Sequence, residues 1–471
     1  LYDTDFTFEN KKKGFSMNAK CFCRFFIVVA FAGFFGTPVV AQQQDSLTLE
    51  IVLQKALSRN NAIIQSSRIL DAAHAHVQGL KSSYYPSVNA EASYATFYPN
   101  DPIPFPMLVQ NPATGALFTH VFNISFAPDN MYDAHIGLDY IIYDFGKRAS
   151  TVNAGVISEN IASDKKQSIV TALSYQVAML FYGLIYEFQS LKVMDDAIAS
   201  LDRHLEIVKK RVEAGTATEY DILKTEAQKA TTLSQRIDLE SDYAKKQTIL
   251  KQLIGENRSH VICLKGAFDT TKINTNPDSL IKNALDNRSD RALALRMKES
   301  AHAQYEIARK ENMPVIGCHA TAGFKDGIFP NIDDTRFNTT IGVQASIPIY
   351  DGKRASSHIA EAKQNEEAAM AGLADLEERI ASEVAQATTE VDAAYAKIGV
   401  STTKVTFADK TLALAKMQYE SGVITNNDVL DAENDFEQAK LGLLQNQYGY
   451  VVNHYMLDQA TGMSLIDSSK K

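Results

Sequence analysis

The sequence repeats itself at long range, and this repeat is the first limit on its fold. Tyr143-Asp144-Phe145-Gly146-Lys147-Arg148-Ala149-Ser150 returns as Tyr350-Asp351-Gly352-Lys353-Arg354-Ala355-Ser356. Gly215-x-x-Thr218-x-x-Asp221-Ile222-Leu223-x-x-Glu226 returns as Gly422-x-x-Thr425-x-x-Asp428-Val429-Leu430-x-x-Glu433. Pro86, which closes a helical run, has its counterpart in Pro314. Three landmarks in one order point to a duplicated unit, because two copies are too few to stack as a solenoid. The division that follows is a first repeat over residues 42–265, a second over 266–463 and a tail over 464–471.

Each unit reads as a helix, two strands, a long helix, a turn and a helix. Thr48 is a fair N-cap, and Leu53, Ala56, Leu57, Ile64 and Leu70 carry a helical period to about Tyr84, before Pro86. The strands alternate. Val88, Ala90, Ala92, Tyr94 and Tyr98 share one face against Ser87, Asn89, Glu91 and Ser93 on the other. Ala134, Ile136, Leu138, Tyr140 and Ile142, then Ile316, Cys318, Ala320, Ala322 and Phe324, then Phe337, Thr339, Ile341, Val343, Ala345, Ile347 and Ile349 give three more such faces. One wet and one apolar face suits a membrane barrel with an aqueous lumen, and equally a soluble antiparallel sheet. Between the first two strands, Phe97 to Met131 holds Pro99, Pro102, Pro104, Pro106, Pro112 and Pro128 and is expected to be an irregular exposed loop.

From Lys147 to Val212 there is no proline, and Val170, Leu173, Val177, Leu180, Leu184, Phe188, Leu191, Met194, Ile198, Leu201, Leu205, Val208 and Val212 step by threes and fours, as in a coiled-coil seam. Such a helix runs for about 100 Å. That length calls for a fibre, a bundle or a tube. Four strands cannot close a membrane barrel, for which about eight are needed, and open edges are not tolerated in lipid. A membrane reading therefore requires an oligomer, and three copies would supply twelve strands.

The N-terminal part has the layout of an export signal. Lys20 and Arg24 precede the apolar run Phe25 to Phe35, and Val39-Val40-Ala41 offers a small-residue cleavage site. Residues 1–41 are thus expected to be an upstream extension and a signal peptide. No continuous apolar run after Ala41 is long enough for a transmembrane helix. Cys263 and Cys318 read as small apolar residues, not as a disulfide. The net charge of −9 argues against a nucleic-acid partner. Catalysis has no candidate: Asp144-Phe145-Gly146 lacks the other kinase motifs, and His74 and His76 do not share a helix face. No cofactor and no metal site is expected.

These landmarks resemble the TolC-like outer-membrane efflux proteins over essentially the whole mature chain. The resemblance rests on Leu47-Thr48-Leu49-Glu50 with Ala56-Leu57 and Asn60, on Ile347-Pro348-Ile349-Tyr350-Asp351-Gly352-Lys353-Arg354, and on the two glycine turns. It implies an α+β membrane protein of two structural repeats. A homotrimeric twelve-stranded barrel would sit in the outer membrane of a Gram-negative bacterium, with a long α-helical barrel in the periplasm. It would be the passive exit duct of a tripartite efflux or type I secretion system, served by a periplasmic membrane-fusion adaptor and an inner-membrane RND or ABC pump. A mixed equatorial region would fall at Gly255 to Pro277.

The resemblance also assigns residues. Gly215, Thr216 and Thr218, with Gly422, Val423 and Thr425, form the periplasmic tips where the adaptor docks. Asp221, Tyr419, Asp428 and Asp431 belong to the entrance gate. The family's arginine two residues after the second tip glycine is here Ile424, so the lock must be made differently. Lys147, Arg148, Lys353 and Arg354 start helices where strands end and read as membrane-interface cations that reach towards lipid headgroups. The competing reading is an exported structural coiled-coil protein with a soluble sheet.

Overall fold

The computed structural model describes residues 47–125, 128–257, 262–273, 275–328 and 331–465. The export segment, with its cleavage site, lies outside them. In chain order the elements are α1 (Leu49–Arg59), α2 (Asn61–Lys81), β1 (Ser87–Thr96), β2 (Ile103–Gln110), β3 (Leu117–Ile124), β4 (Asn130–Tyr143), α3 (Lys147–Glu213) and α4 (Glu219–Leu253). The second half follows with α5 (Pro277–Asn287), α6 (Ser289–Arg309), β5 (Val315–Lys325), β6 (Arg336–Ser346), α7 (Arg354–Glu420) and α8 (Asn426–Ala460). The duplication holds to the residue in the helices: 11 in α1 and α5, 21 in α2 and α6, 67 in α3 and α7, 35 in α4 and α8.

The opening helix of each repeat is not continuous, contrary to the expectation of one run to Tyr84. Asn60 is extended (φ −71°, ψ 128°), and its carboxamide oxygen accepts from the Ala62 amide at 2.9 Å, capping α2. Its Nδ2 donates to the Leu253 carbonyl, the last of α4, at 3.3 Å. Arg288 breaks the second repeat in the same conformation (φ −67°, ψ 127°) and donates from Nη1 to the Ala460 carbonyl, the last of α8, at 3.3 Å. In each half the hinge residue thus joins the start of the second short helix to the end of the last long one. Leu47, Val52, Leu53 and Ala56 pack here with Leu173, Val177, Phe181, Leu184, Leu250 and Ile262. Within the expected Gly255–Pro277 region the chain is irregular where described up to Asn276, apart from a bridge between Leu47 and Leu264, and Pro277 already starts α5.

One stretch of α3, though interrupted by polar residues, is apolar enough on average to cross a bilayer. The same helix supplies Leu173, Val177, Phe181 and Leu184 to the core, which accounts for its apolar character.

The strands form one antiparallel sheet in the order β1-β4-β5-β6. The register aligns Val88, Leu138, Ala320 and Ile341 in one cross-strand row and Tyr94, Tyr132 in another. One face therefore carries Val88, Ala90, Ala92, Tyr94, Ile136, Tyr140, Cys318, Phe324, Phe337, Ile341 and Val343, with Thr339 among them and Thr96 and Asn130 at its end. The other carries Asn89, Glu91, Asp133, His135, His319, Lys325, Arg336 and Gln344. Ile341 is 80% exposed and Val343 71%. A soluble sheet would cover such a face. On the polar face His135 bonds Asp133 at 2.7 Å and Lys325 meets the same carboxylate at 3.2 Å. Cys263 and Cys318 are both free thiols.

The proline-rich stretch is not an irregular loop throughout. It holds a second sheet, the hairpin β2–β3, in register from Ile103 with Ile124 to Gln110 with Leu117. Pro104 and Pro106 lie two residues apart, so both turn their missing N–H towards the same edge of the ribbon, where no ladder bond is lost. The turn closes with Gly115 N–H to Asn111 O at 2.9 Å and Ala113 N–H to Asn111 Oδ1 at 3.0 Å.

Candidate functional site: the helix tips and the membrane edge

At 1.5 Å per residue, α3 and α7 put about 100 Å between the sheet and their far ends. Both ends close in one way. Gly215 (φ 72°) donates to Val212 O at 3.0 Å, and Thr216 N–H reaches Arg211 O at 2.8 Å. Gly422 (φ 75°) donates to Tyr419 O at 2.9 Å, and Val423 N–H reaches Gln418 O at 2.9 Å. These are Schellman closures, which need the left-handed conformation that glycine adopts without strain. Gly215, Thr216, Gly422 and Val423 are exposed, Val423 at 70%.

The following helices start with capping boxes. Asp221 Oδ2 accepts from Thr218 N–H at 2.9 Å and Thr218 Oγ1 at 2.8 Å. Asp428 Oδ2 accepts from Thr425 N–H at 2.8 Å and Thr425 Oγ1 at 2.6 Å. The repeated Thr-x-x-Asp is thus first of all a helix start, and that signal was present in the sequence. Thr425's side chain and backbone hold the Asp428 carboxyl below its ordinary pKa. A depressed carboxylate stabilises above its unfolded value and loses that contribution as the pH falls through the folded one. The Thr425 amide at the N-cap of α8 is expected to lose hydrogen-exchange protection below about pH 4. Protection factors that stay level down to pH 3 would contradict the cap's role. Asp431, one turn on, is exposed.

Sequence reasoning missed the groups that join the two tips. Tyr419 is 5% exposed; Arg211 of α3 stacks on its ring at 4.7 Å and donates from Nη1 to its carbonyl oxygen. His204, two turns earlier on α3, lies 5.2 Å from the same ring and bonds Asn426 Oδ1 through Nε2 at 2.7 Å. Asn426 Nδ2 donates to Asp221 O at 3.2 Å and Thr225 Oγ1 at 3.1 Å. Burial keeps His204 below its usual pKa, against the pull of the Asn426 bond. Ile424, in the place of the expected arginine, packs with Val208, Leu412, Ala415, Val429 and Ala432. One turn towards the sheet, Lys416 pairs with Glu433 at 2.9 Å.

The chain is thus a long helical hairpin occurring twice, with two strands per repeat and one largely apolar sheet face. The profile of the family described as "Outer membrane efflux protein" matches residues 52–256 and 280–463, which is most of the chain. The chain belongs to the outer membrane efflux protein family. The unmatched interval between the two spans covers most of the irregular segment before α5. The outer membrane efflux protein BepC of Brucella suis is 24% identical over 92% of this chain and 89% of its own length. The outer membrane protein TolC of Escherichia coli is 22% identical over 71% and 70%. Among solved structures, the Campylobacter jejuni CmeC outer membrane channel superposes with a TM-score of 0.73 at 17% identity, covering 88% of this chain and 85% of CmeC. VceC of Vibrio cholerae gives 0.71 at 18% identity, covering 88% and 96%. The fold is thus that of outer-membrane channels, and this efflux protein is placed in the outer membrane.

At the sheet end, this outer membrane efflux protein departs from one sequence expectation. Lys353 is not the first residue of a helix. It is the left-handed residue (φ 70°) before α7, in the place that Gly146 (φ 84°) takes before α3. Arg354 is therefore the counterpart of Lys147. Asp144 and Asp351 hold the two junctions, accepting from the amides four residues on, Arg148 at 2.8 Å and Ala355 at 2.9 Å. Arg148 does not reach outwards: its Nε bonds Asp144 at 2.9 Å, its Nη1 bonds Ser83 O at 2.9 Å, and its guanidinium lies over Tyr84. Lys147 donates to Glu311 O at 3.3 Å, and Arg354, more exposed, pairs with Glu311 at 3.2 Å.

Proposed function

We propose that three copies of this chain close a twelve-stranded barrel, with the helices forming a duct that ends at an entrance ringed by the tips. The observation that carries the reading is the sheet: one face largely apolar, the other largely polar, and β1 and β6 outermost with one strand partner each among the described residues. In lipid both outer edges must be paired, and only further copies can supply the strands. The duct is passive and not a catalyst. An adaptor would dock on the exposed tips at Gly215, Thr216, Thr218, Gly422, Val423 and Thr425, with an inner-membrane pump beyond it. The export of the chain to the outer membrane fits the signal-like segment at 1–41. Lys353 and Arg354 remain the better candidates for headgroup contact, since Arg148 is held inside.

Asp428 and Asp431, repeated by three-fold symmetry, would ring the entrance and favour cations. Two measurements test this. Cysteines at Thr216 and Val423, crosslinked in cells, are expected to recover a periplasmic adaptor with its pump, and outer-membrane extracts are expected to give a trimer that dissociates on boiling. In planar bilayers the double variant Asp428→Asn with Asp431→Asn is expected to lower the cation-to-anion permeability ratio roughly several-fold. A monomer in outer-membrane fractions would overturn the assembly.

A further inference from the structure

The hairpin β2–β3 lies between the end of β1 and the start of β4, at the end of the sheet away from the helices, and Phe97 N–H to Asp129 O at 3.0 Å ties its root. Its composition sets it apart. No charged side chain occurs from Ile103 to Ile124, and no lysine or arginine between Lys81 and Lys147. The register puts the pairs Ile103–Ile124, Phe105–Phe122 and Val109–Phe118 on one face, with Met107 opposite His120. That face is open in the single chain, Phe105 at 50% and Met107 at 49%. Its one polar group, His120, makes edge contacts with the Phe118 and Phe122 rings, at 6.3 and 4.6 Å. The opposite face is mixed, with Thr119 and Asn123 beside Leu108 and Leu117.

Water, a lipid surface or another copy could meet the apolar face, and the first two are disfavoured. Water would leave a contiguous patch of aromatic and aliphatic side chains uncovered. A phosphate-bearing headgroup layer is met by lysine and arginine, whereas the charges flanking this hairpin are the carboxylates Asp101 and Asp129. The same face of the neighbouring copies remains. Pairing by edges is blocked: in a three-fold ring the contact runs head to tail, so β3 of one copy would meet β2 of the next. The outer edge of β2 has no N–H at Pro104 or Pro106. The hairpins must therefore meet by their faces. Strands of 8 residues reach about 27 Å, against a radius of about 12 Å for a twelve-stranded barrel, so each hairpin can reach the axis.

We propose that the β2–β3 hairpins of three copies pack face to face over the outer mouth of the barrel, as an apolar collar that narrows the exit. The collar rests on the trimeric reading of the sheet. A constriction of this kind resists wetting and slows polar solutes.

The test uses the full-length chain with Cys263→Ser and Cys318→Ala. On oxidation in outer membranes, Met107→Cys is expected to give a disulfide between copies, roughly ten-fold more than Leu108→Cys on the opposite face. The second measurement is labelling of Thr340→Cys, which faces the lumen, by a bulky membrane-impermeant maleimide added outside whole cells. Adding Phe105→Ser with Phe122→Ser should speed it roughly five-fold, and adding Leu108→Ser should not. This readout does not depend on the tips. Equal crosslinking at positions 107 and 108, or none, with heat-modifiable trimers intact, overturns the collar. Should Met107→Cys not assemble, Phe105→Cys decides by the same criterion. Unchanged Thr340→Cys labelling in the double serine variant also overturns it. So does a label on Met107→Cys that is quenched by spin-labelled lipid, which places the face in the bilayer, or a crosslink to a different protein. Failure of the unsubstituted chain to give any trimer is a separate result, and it removes the assembly reading itself.

Discussion

Ile341→Arg is expected to abolish trimer assembly in the outer membrane, while Thr340→Arg, one residue away, leaves it largely intact. Ile341 is at the centre of β6 and lies in the cross-strand row of Ala320 on the apolar face, 80% exposed in the single chain. A guanidinium there would face hydrocarbon near the middle of the bilayer, at a cost of about 2–4 kcal/mol. Three-fold symmetry repeats that cost in every copy. Thr340 points the other way, beside Asn338 and His319, into a surface that already carries Lys325 and Arg336. The measurement is the yield of heat-modifiable trimer in outer-membrane fractions, with Ile341→Val as the control that keeps the face apolar. Equal yields for the two arginine variants would mean that the apolar face does not meet lipid, and the membrane reading of the sheet would fall with it.

That contrast was readable from the sequence because a strand has a period of two, and the four strands keep it except where β4 slips between Ile141 and Tyr143. The same is true of the long helices. A run without proline and with apolar steps of three and four residues leaves few alternatives, and α3 and α7 end within a residue or two of the expected glycines. Where the expectations failed, the local signal was weak or ambiguous. Prolines at Pro104 and Pro106 read as breakers, but two breakers of equal parity on one edge of a hairpin break nothing. Lys353 was aligned with Lys147 by its letter, while the backbone placed it with Gly146. Arg211 looked like an ordinary cation in the last turn of a helix, where it complements the dipole. Its actual partner, Tyr419, is 208 residues away in the chain, and no local pattern records such a pair. Asn60 carried a capping signal that could have marked its hinge, but Arg288 carried none, since arginine is a poor N-cap.

The hinge at Arg288 carries the second large expectation. Its guanidinium is mostly covered and gathers three partners: Asp290 at 2.7 Å, Glu383 of α7 at 2.6 Å and the terminal carbonyl of α8 at 3.3 Å. Burial pushes the Asp290 carboxyl up, but the Arg288 guanidinium, with the Arg291 amide, holds it below its usual range. Replacing Arg288 by Met keeps much of the volume but leaves Asp290 half-buried without its cation and the end of α8 without a donor. Because Asp290 and Glu383 are partly open to water, the loss is discounted to roughly 2–3 kcal/mol. Gly462 is the second probe of the same joint. It has φ 74°, and a Cβ there would lie 2.8 Å from the Arg288 backbone nitrogen. Gly462→Ala therefore combines left-handed strain with a backbone clash, for a similar cost of about 2–4 kcal/mol. Both variants are expected to lower the melting temperature of the detergent-solubilised trimer and to expose the α5–α6 junction to protease, with the tips unaffected. Since the residues share one joint, the double variant should cost less than the two single effects added together. Full additivity would mean that Arg288 and Gly462 support different parts of the molecule, and the hinge would not be the single point that ties the end of α8 to the start of α6.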